Sequence, residues 1–165
     1  MTLRLRQLLL SLSVVLMLAA CGKEEAAAPV EEAPAPLVAP TDGDDNAWRA
    51  YLVAVVQANL GGINNSPFMY YLPAQGAEGW EDAYARQAAA VGETVERTVL
   101  PGNMLAFGSP DSTKMADLIV AAFANPDPNA LKGSQVLFIG SPADQARVQA
   151  AVEAAGGKFV FVEAK

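Results

Sequence analysis

Histidine is absent from the 165-residue chain, and cysteine occurs once, as Cys21. Without histidine there is no His-based catalytic triad, no imidazole metal ligand and no side chain that ordinarily titrates near neutral pH. A single cysteine excludes a disulfide within the chain. Stability must therefore come from packing. The sequence also predicts that the protein binds no metal and no cofactor and that it is not an enzyme.

A long hydrophobic run is also lacking at the N-terminus. The apolar stretch from Leu8 to Ala20 has about 13 residues, whereas a helix that spans a bilayer needs roughly 20. Two arginines, Arg4 and Arg6, precede this stretch, and Ala19-Ala20 ends it with small residues. This order is typical of a cleaved secretory signal, and we therefore expect residues 1–20 to be a signal peptide.

Leu18-Ala19-Ala20-Cys21 resembles the lipobox of bacterial lipoproteins. The resemblance covers the first 22 residues and implies cleavage after Ala20, a diacylglyceryl group on the Cys21 thiol and an acylated Cys21 amine. Two or three acyl chains of the palmitate type hold a protein firmly on a membrane, whereas one does so marginally. Gly22 rather than aspartate follows the cysteine, which in the enterobacterial pattern implies the outer membrane, facing the periplasm.

Positive charge is scarce. The formal net charge is −7, and most of the acidity lies in residues 22–47, which hold one lysine and seven acids. No basic patch is evident, so nucleic acid is not an expected partner. Residues 21–45, rich in Pro, Ala and Glu, predict a lipidated cysteine followed by a disordered or partly polyproline tether. The expected partners are the membrane, through the lipid on Cys21, and a protein of the cell envelope.

Residues 46–165 have the size of one domain. Apolar periodicity predicts a helix from Asp45 or Asn46 to Leu60, and the run Phe68–Leu72 predicts a strand. A second helix follows, through Gly92 to about Val99. The alternative ends that helix at Val91 and makes residues 94–100 an extra strand, which their β-branched residues favour.

Two later stretches resemble each other, Leu105–Pro110 and Leu137–Pro142. Each is an apolar strand that runs into Gly-Ser-Pro and then a helical pattern, with Ser suited to the N-cap and Pro to the first helical turn. Phe159–Val162 predicts a last strand. Alternation of helices and continuous apolar strands predicts an α/β fold, a small three-layer sandwich with an about four-stranded, mainly parallel sheet and helices on both faces.

Ligands of open α/β sheets bind beyond the carboxyl ends of the strands. The residues that could bind a ligand there, with backbone N–H groups at two helix starts, are Gln75, Ser109, Ser112, Lys114 and Ser141. The competing interpretation is helix capping, because Asp111 and Asp144 in the first turns stabilise a helix end and repel an anion. Neither turn matches a nucleotide-binding fingerprint.

The leading hypothesis is a membrane-anchored lipoprotein that acts as a non-enzymatic protein-binding or adaptor module of the cell envelope. A domain that binds a small anion at the strand ends is the alternative. A histidine-independent hydrolase, which would rely on Asp, Glu, Ser or Lys, is the third hypothesis.

Overall fold

The computed structural model describes residues 37–125 and 127–165. The predicted signal peptide, the lipobox and Cys21 lie outside these residues. Helices and strands alternate along the described chain, as the sequence predicts. The helices are α1 (Asp45–Ala58), α2 (Trp80–Glu96), α3 (Ser112–Ala122) and α4 (Pro142–Ala154). The strands are β1 (Phe68–Tyr71), β2 (Met104–Gly108), β3 (Gln135–Gly140) and β4 (Lys158–Glu163).

All the described strands are parallel and lie in the order β1-β2-β3-β4. Crossovers between parallel strands are almost always right-handed, and here every step moves the chain in the same direction. The crossover helices α2, α3 and α4 therefore share one face, whereas α1 packs on the other. The prediction of a three-layer α/β sandwich with helices on both faces is confirmed.

Side chains of the central strands alternate between two apolar cores. Leu105 and Phe107 of β2 point into the core under α2, α3 and α4, whereas Met104 and Ala106 point into the core under α1. Every residue of β2 and β3 is buried, which explains why these strands are continuous apolar runs rather than alternating ones. β1 and β4 are the two edge strands of the described sheet, and their residues are more exposed.

Helix α2 resolves the alternative for residues 94–100. It continues through Gly92 to Glu96, and no extra strand forms there. The helix ends about three residues earlier than predicted because Thr98 adopts a left-handed backbone, with φ of 60°. Val99 is then buried, and its N–H donates to the Ala130 carbonyl oxygen at 2.8 Å.

The two Gly-Ser-Pro turns differ in their capping. Ser141 is the N-cap of α4 and Pro142 its first residue, as predicted. In the other turn the prediction was wrong, because Asp111 rather than Ser109 is the N-cap, and its carboxylate accepts from the Lys114 N–H at 3.1 Å. A carboxylate at the positive end of a helix is a favourable cap.

The last residues of the predicted tether contact the domain. Ala39 is 8% exposed and belongs to the core under α1. Its backbone N–H donates to the carbonyl oxygen of Lys165 at 2.8 Å. The packed part of the chain therefore includes Ala39, within the stretch that the sequence predicts as tether.

Candidate functional site

The carboxyl edge of the sheet brings three of the predicted ligand-binding residues together. Ser109, Ser112 and Ser141 line one cavity of about 340 Å³. Two of them come directly after strands β2 and β3, whose carboxyl ends lie side by side in a parallel sheet. Residues 39–41 and 163–165 form other parts of the wall. We call this the carboxyl-edge cavity.

Gln75 and Lys114 do not line this cavity. Gln75 borders a separate cavity of about 440 Å³ at the start of α2, next to Trp80. Lys114 lies in the first turn of α3, where its backbone N–H donates to the cap of that helix. The five predicted residues therefore do not form one site.

Ser112 uses its hydroxyl to join the two helix starts. Its Oγ donates to Asp144 Oδ2 at 2.7 Å and accepts from the backbone N–H of Ser141 at 2.7 Å. A side chain at Gly140 would strike the Ser112 Oγ, so the glycine permits this close approach. An anion at the start of α4 would have to compete with Ser112 for the Ser141 N–H.

Asp144 is a buried carboxylate, 6% exposed, whose negative charge is paired with the guanidinium of Arg147. Arg147 donates to its Oδ1 from Nε at 3.1 Å and from Nη2 at 2.7 Å, and reaches Asp117 Oδ1 with Nη1. Burial by itself raises the pKa of Asp144, but the hydrogen bonds from Ser112 and Arg147 outweigh it and hold this pKa below its usual range. Hydrogen bonds to Asp117 and to Asp144 raise the pKa of Arg147.

The sequence pattern predicts Asp144 only as a carboxylate at a helix start, and its pairing with Arg147 was not predicted. Their spacing of three residues on one helix is the signal that could have revealed the pair. The contacts with Ser112 and Asp117 join residues about 30 positions apart. These contacts depend on the packing of α3 against α4, which no local pattern encodes.

The strand order gives the carboxyl edge no topological switch point. Doubly wound sheets bind ligands in the crevice where neighbouring strands connect in opposite directions. Here the described strands follow chain order across the sheet, and their three crossover helices lie on one face. The crevice that typically receives a ligand is therefore not formed by the connections between these strands.

A second feature lies at the opposite, amino edge of the sheet. Phe68 at the start of β1 and Leu100 before β2 line a groove of about 260 Å³ with the end of α2. Phe68 is 45% exposed and Leu100 69% exposed. Glu93 and Arg97 border the groove and form an exposed ion pair at 3.6 Å. We call this the amino-edge groove.

Strand β1, whose first residue lines the groove, also has a free side. Met69, next to Phe68, is 47% exposed and points to the opposite face. Within the described part of the chain β1 pairs with β2 alone. Edge strands are commonly protected by charge, proline or a bulge, and the sequence Phe-Met-Tyr-Tyr of β1 contains neither charge nor proline. This surface was not predicted, because an apolar run in the sequence predicts a buried strand.

Comparison of the chain with protein-family models, with curated proteins and with solved structures finds no match. In the described residues, no group of three or more His, Cys, Asp or Glu side chains is placed to hold a metal ion. Across residues 37–125 and 127–165, no helix has both the length and the apolar character needed to span a bilayer.

Proposed function

We propose that this protein is a membrane-anchored, periplasm-facing lipoprotein that binds another protein through the amino-edge groove, without catalysing a reaction. The observation that supports the proposal is that Phe68 and Leu100 are exposed in this groove, next to the open edge strand β1. Contiguous exposed apolar surface is characteristic of interaction sites, and an open strand edge can add hydrogen bonds from an extended segment of the partner.

The position of the groove suits a tethered protein. The chain before Ala39 approaches the domain at the carboxyl end of β4, whereas the groove lies at the amino ends of β1 and β2. These two edges are about 17–20 Å apart, the length of a strand of five to six residues. The groove and the point at which the chain before Ala39 joins the domain therefore lie at opposite edges of the sheet, so a partner in the groove would not contact that point.

The contacts at the carboxyl edge argue against a hydrolase site built from Ser112 and Asp144. The Ser112 Oγ lies 2.7 Å from Asp144 Oδ2, a distance that is typical of a nucleophile and its general base. However, a carboxylate whose pKa is held down by Arg147 is a weak base. The Ser112 Oγ also accepts a backbone hydrogen bond, which holds it in place between two helices. We assign both residues a structural role.

Site-specific photo-crosslinking tests the proposal in the intact, processed chain. A photo-reactive amino acid at Leu100 should give one discrete protein adduct in the bacterial envelope. The matched control is Val53, which is 43% exposed on α1 and should give none. The variant Phe68→Ser should abolish the Leu100 adduct while its circular dichroism spectrum stays native. Equal adducts from both positions, or none from Leu100, would contradict the proposal.

A small-ligand binder is the second candidate, and one observation favours it. Trp48 is 4% exposed, lines the carboxyl-edge cavity, and its indole N–H has no hydrogen-bond partner among the described residues. A buried donor of this kind can bond an acceptor atom of a ligand. Titration of the chain with phosphate and with dicarboxylates, followed by thermal unfolding, should then raise the melting temperature in the wild type but not in Ser141→Ala.

A further inference from the structure

Strand β1 offers a short row of backbone groups on its free side. The N–H of Leu72, directly after the strand, donates to the Gly108 carbonyl oxygen on the β2 side at 3.3 Å. Backbone groups alternate in direction along a strand, so the N–H groups of Met69 and Tyr71 point away from β2. The next outward positions hold prolines, which have no N–H; they are Pro67 and Pro73. A segment that pairs with β1 therefore bonds to Met69 and Tyr71, and the paired stretch is short.

The other edge strand of the described sheet is less suited to such pairing. β4 begins with Lys158 and ends with Glu163, and charged side chains within an edge strand oppose the addition of a further strand. β1 carries no charged residue. Of the two edge strands, β1 is therefore the one that can receive a segment of another chain.

The amino end of β1 is apolar on both faces of the sheet. Phe68 is aligned with Leu105 and shares its face, under α2, whereas Met69 is aligned with Ala106 and shares the face of α1. The two side chains are 45% and 47% exposed. Residues of a strand paired beside them would point alternately to the same two faces. Apolar side chains at this end of the segment would therefore be covered on either face.

The carboxyl end of β1 is acidic on both faces. Helix α1 begins there on one face, since the Tyr71 hydroxyl donates to Asp45 Oδ1 at 2.8 Å, and α2 begins on the other face after the loop that follows β1. Exposed acids lie in and just before the two helix starts; they are Asp42, Asp44, Asp45, Glu78, Glu81 and Asp82.

This negative charge is largely uncompensated. Within the described part of the chain, none of these six acids forms an ion pair. Arg49, whose guanidinium lies 4.4 Å from the centre of the Tyr71 ring, offsets only part of the charge. Acids at a helix start stabilise their own helix, but without cations beside them their field extends into the solvent next to β1. The occupant that complements this end of the strand is positively charged.

We propose that the partner presents a short extended segment, apolar at one end and rich in lysine or arginine at the other, which pairs with the free side of β1. The inference rests on the proposed function, because it names the chemistry of the partner at the amino-edge groove. The apolar end lies beside Phe68 and Met69, and the basic end lies between the acidic starts of α1 and α2. Main-chain hydrogen bonds supply affinity, and the charges fix the orientation.

A second copy of this chain fits the same edge less well. Its own β1 has no basic residue, and it would bring a second set of acidic helix starts to the junction. Like charges placed side by side oppose association. A protein partner with a basic segment avoids this repulsion.

Fluorescence anisotropy with labelled probe peptides tests the proposal on the processed chain in micelles of an uncharged detergent. The probes are Lys-Arg-Lys-Val-Thr-Val-Thr and the same residues in reverse order, because a segment can run either way along β1. Their counterparts carry glutamate at every basic position. At least one basic probe should bind at least about tenfold more tightly than its acidic counterpart. If neither basic probe binds more tightly than its counterpart, the proposal is overturned.

Charge variants of the chain locate the basic end of the probe. Glu81→Gln combined with Asp82→Asn should weaken binding of the basic probe about three- to tenfold at low salt, and the difference should shrink as salt screens the charges. Glu153→Gln is the matched control, because Glu153 is an exposed acid on α4 and should leave binding unchanged. Equal weakening in both variants, or none in the first, would contradict the assigned position.

N-methylation of alternate peptide bonds in the probe tests the strand pairing itself. Methyl groups on the N–H groups that face β1 should abolish binding, whereas methyl groups on the alternate set should preserve it. An equal effect of the two sets would overturn the pairing. The Leu100 adduct is a separate readout: an adduct without preference for a basic probe would refute the basic segment alone, whereas the lack of an adduct would refute the proposed function.

Discussion

Replacing Asp144 by asparagine removes the charge at the junction of α3 and α4 while keeping the shape of the side chain. Asn can still accept the Ser112 hydrogen bond, but it cannot pair with Arg147 as a carboxylate does. Exposed ion pairs contribute about 0–1 kcal/mol, and breaking a buried one costs about 3–5 kcal/mol. Asp144 is buried but the Arg147 side chain is 36% exposed, so we expect an intermediate loss of about 2 kcal/mol.

The pH dependence of this loss follows from the pKa of Asp144. That pKa is lower in the folded chain than in the unfolded one, so the carboxylate stabilises the fold above the unfolded value of about 3.9. The stabilisation disappears as the pH falls through the lower, folded pKa. The wild type should therefore exceed Asp144→Asn in stability by about 2 kcal/mol at pH 7, and the difference should shrink progressively below about pH 4.

Urea unfolding of the two chains between pH 7 and pH 2.5 measures this difference directly. At pH 7 the variant should also melt roughly 6–10 °C lower, since 1 kcal/mol shifts the melting temperature of a domain this size by about 3–5 °C. Asp82→Asn is the matched control, because Asp82 is exposed and should change stability by less than about 0.5 kcal/mol. A difference between wild type and Asp144→Asn that is absent at pH 7, or that stays constant down to pH 2.5, would refute the reasoning.

Three further changes have distinct expected results. Cys21→Ser should release the protein from membranes into the carbonate-soluble fraction, and a variant that still sediments with membranes would contradict the lipid anchor. Gly156→Ala should lower the free energy of unfolding by about 2–4 kcal/mol in chemical denaturation, because Gly156 has φ of 78° and an added Cβ would strike a backbone carbonyl oxygen. The control Gly62→Ala, at φ of 97° with open space around it, should lower it by about 1–2 kcal/mol. Equal losses in the two variants would show that backbone strain alone, and not the clash, sets the effect. Ser112→Ala should cost about 1–3 kcal/mol in the same assay, because it leaves the Ser141 N–H without its acceptor; an unchanged midpoint would exclude Ser112 as a bridge.

Most of the secondary structure could be predicted because it depends on local patterns. Helix α2 continues through Gly92 because its apolar residues keep helical spacing on both sides of the glycine, and packing of Val91 and Val95 outweighs the low helix propensity there. The exact end of α2 could not be predicted. It depends on Val99, whose N–H bonds to Ala130 in a distant loop.

The candidate site was predictable in part. Ser109, Ser112 and Ser141 lie together as expected, because the carboxyl ends of parallel strands meet at one edge. Their availability for a ligand could not be predicted from the same pattern. The two copies of the Gly-Ser-Pro sequence form different capping arrangements, and Asp111 rather than Ser109 caps α3.

The sequence by itself determined the alternation of helices and strands and the burial of both faces of β2 and β3, whereas the address and the lipid anchor at Cys21 stay predictions. These features follow from composition and from apolar spacing within short stretches. Only the tertiary structure decided the strand order, the contact of Ser112 with Asp144, and the exposure of Phe68 and Leu100. Each of these depends on which distant segments become neighbours, and that choice is made by the packing of whole helices and strands rather than by any one stretch of the chain.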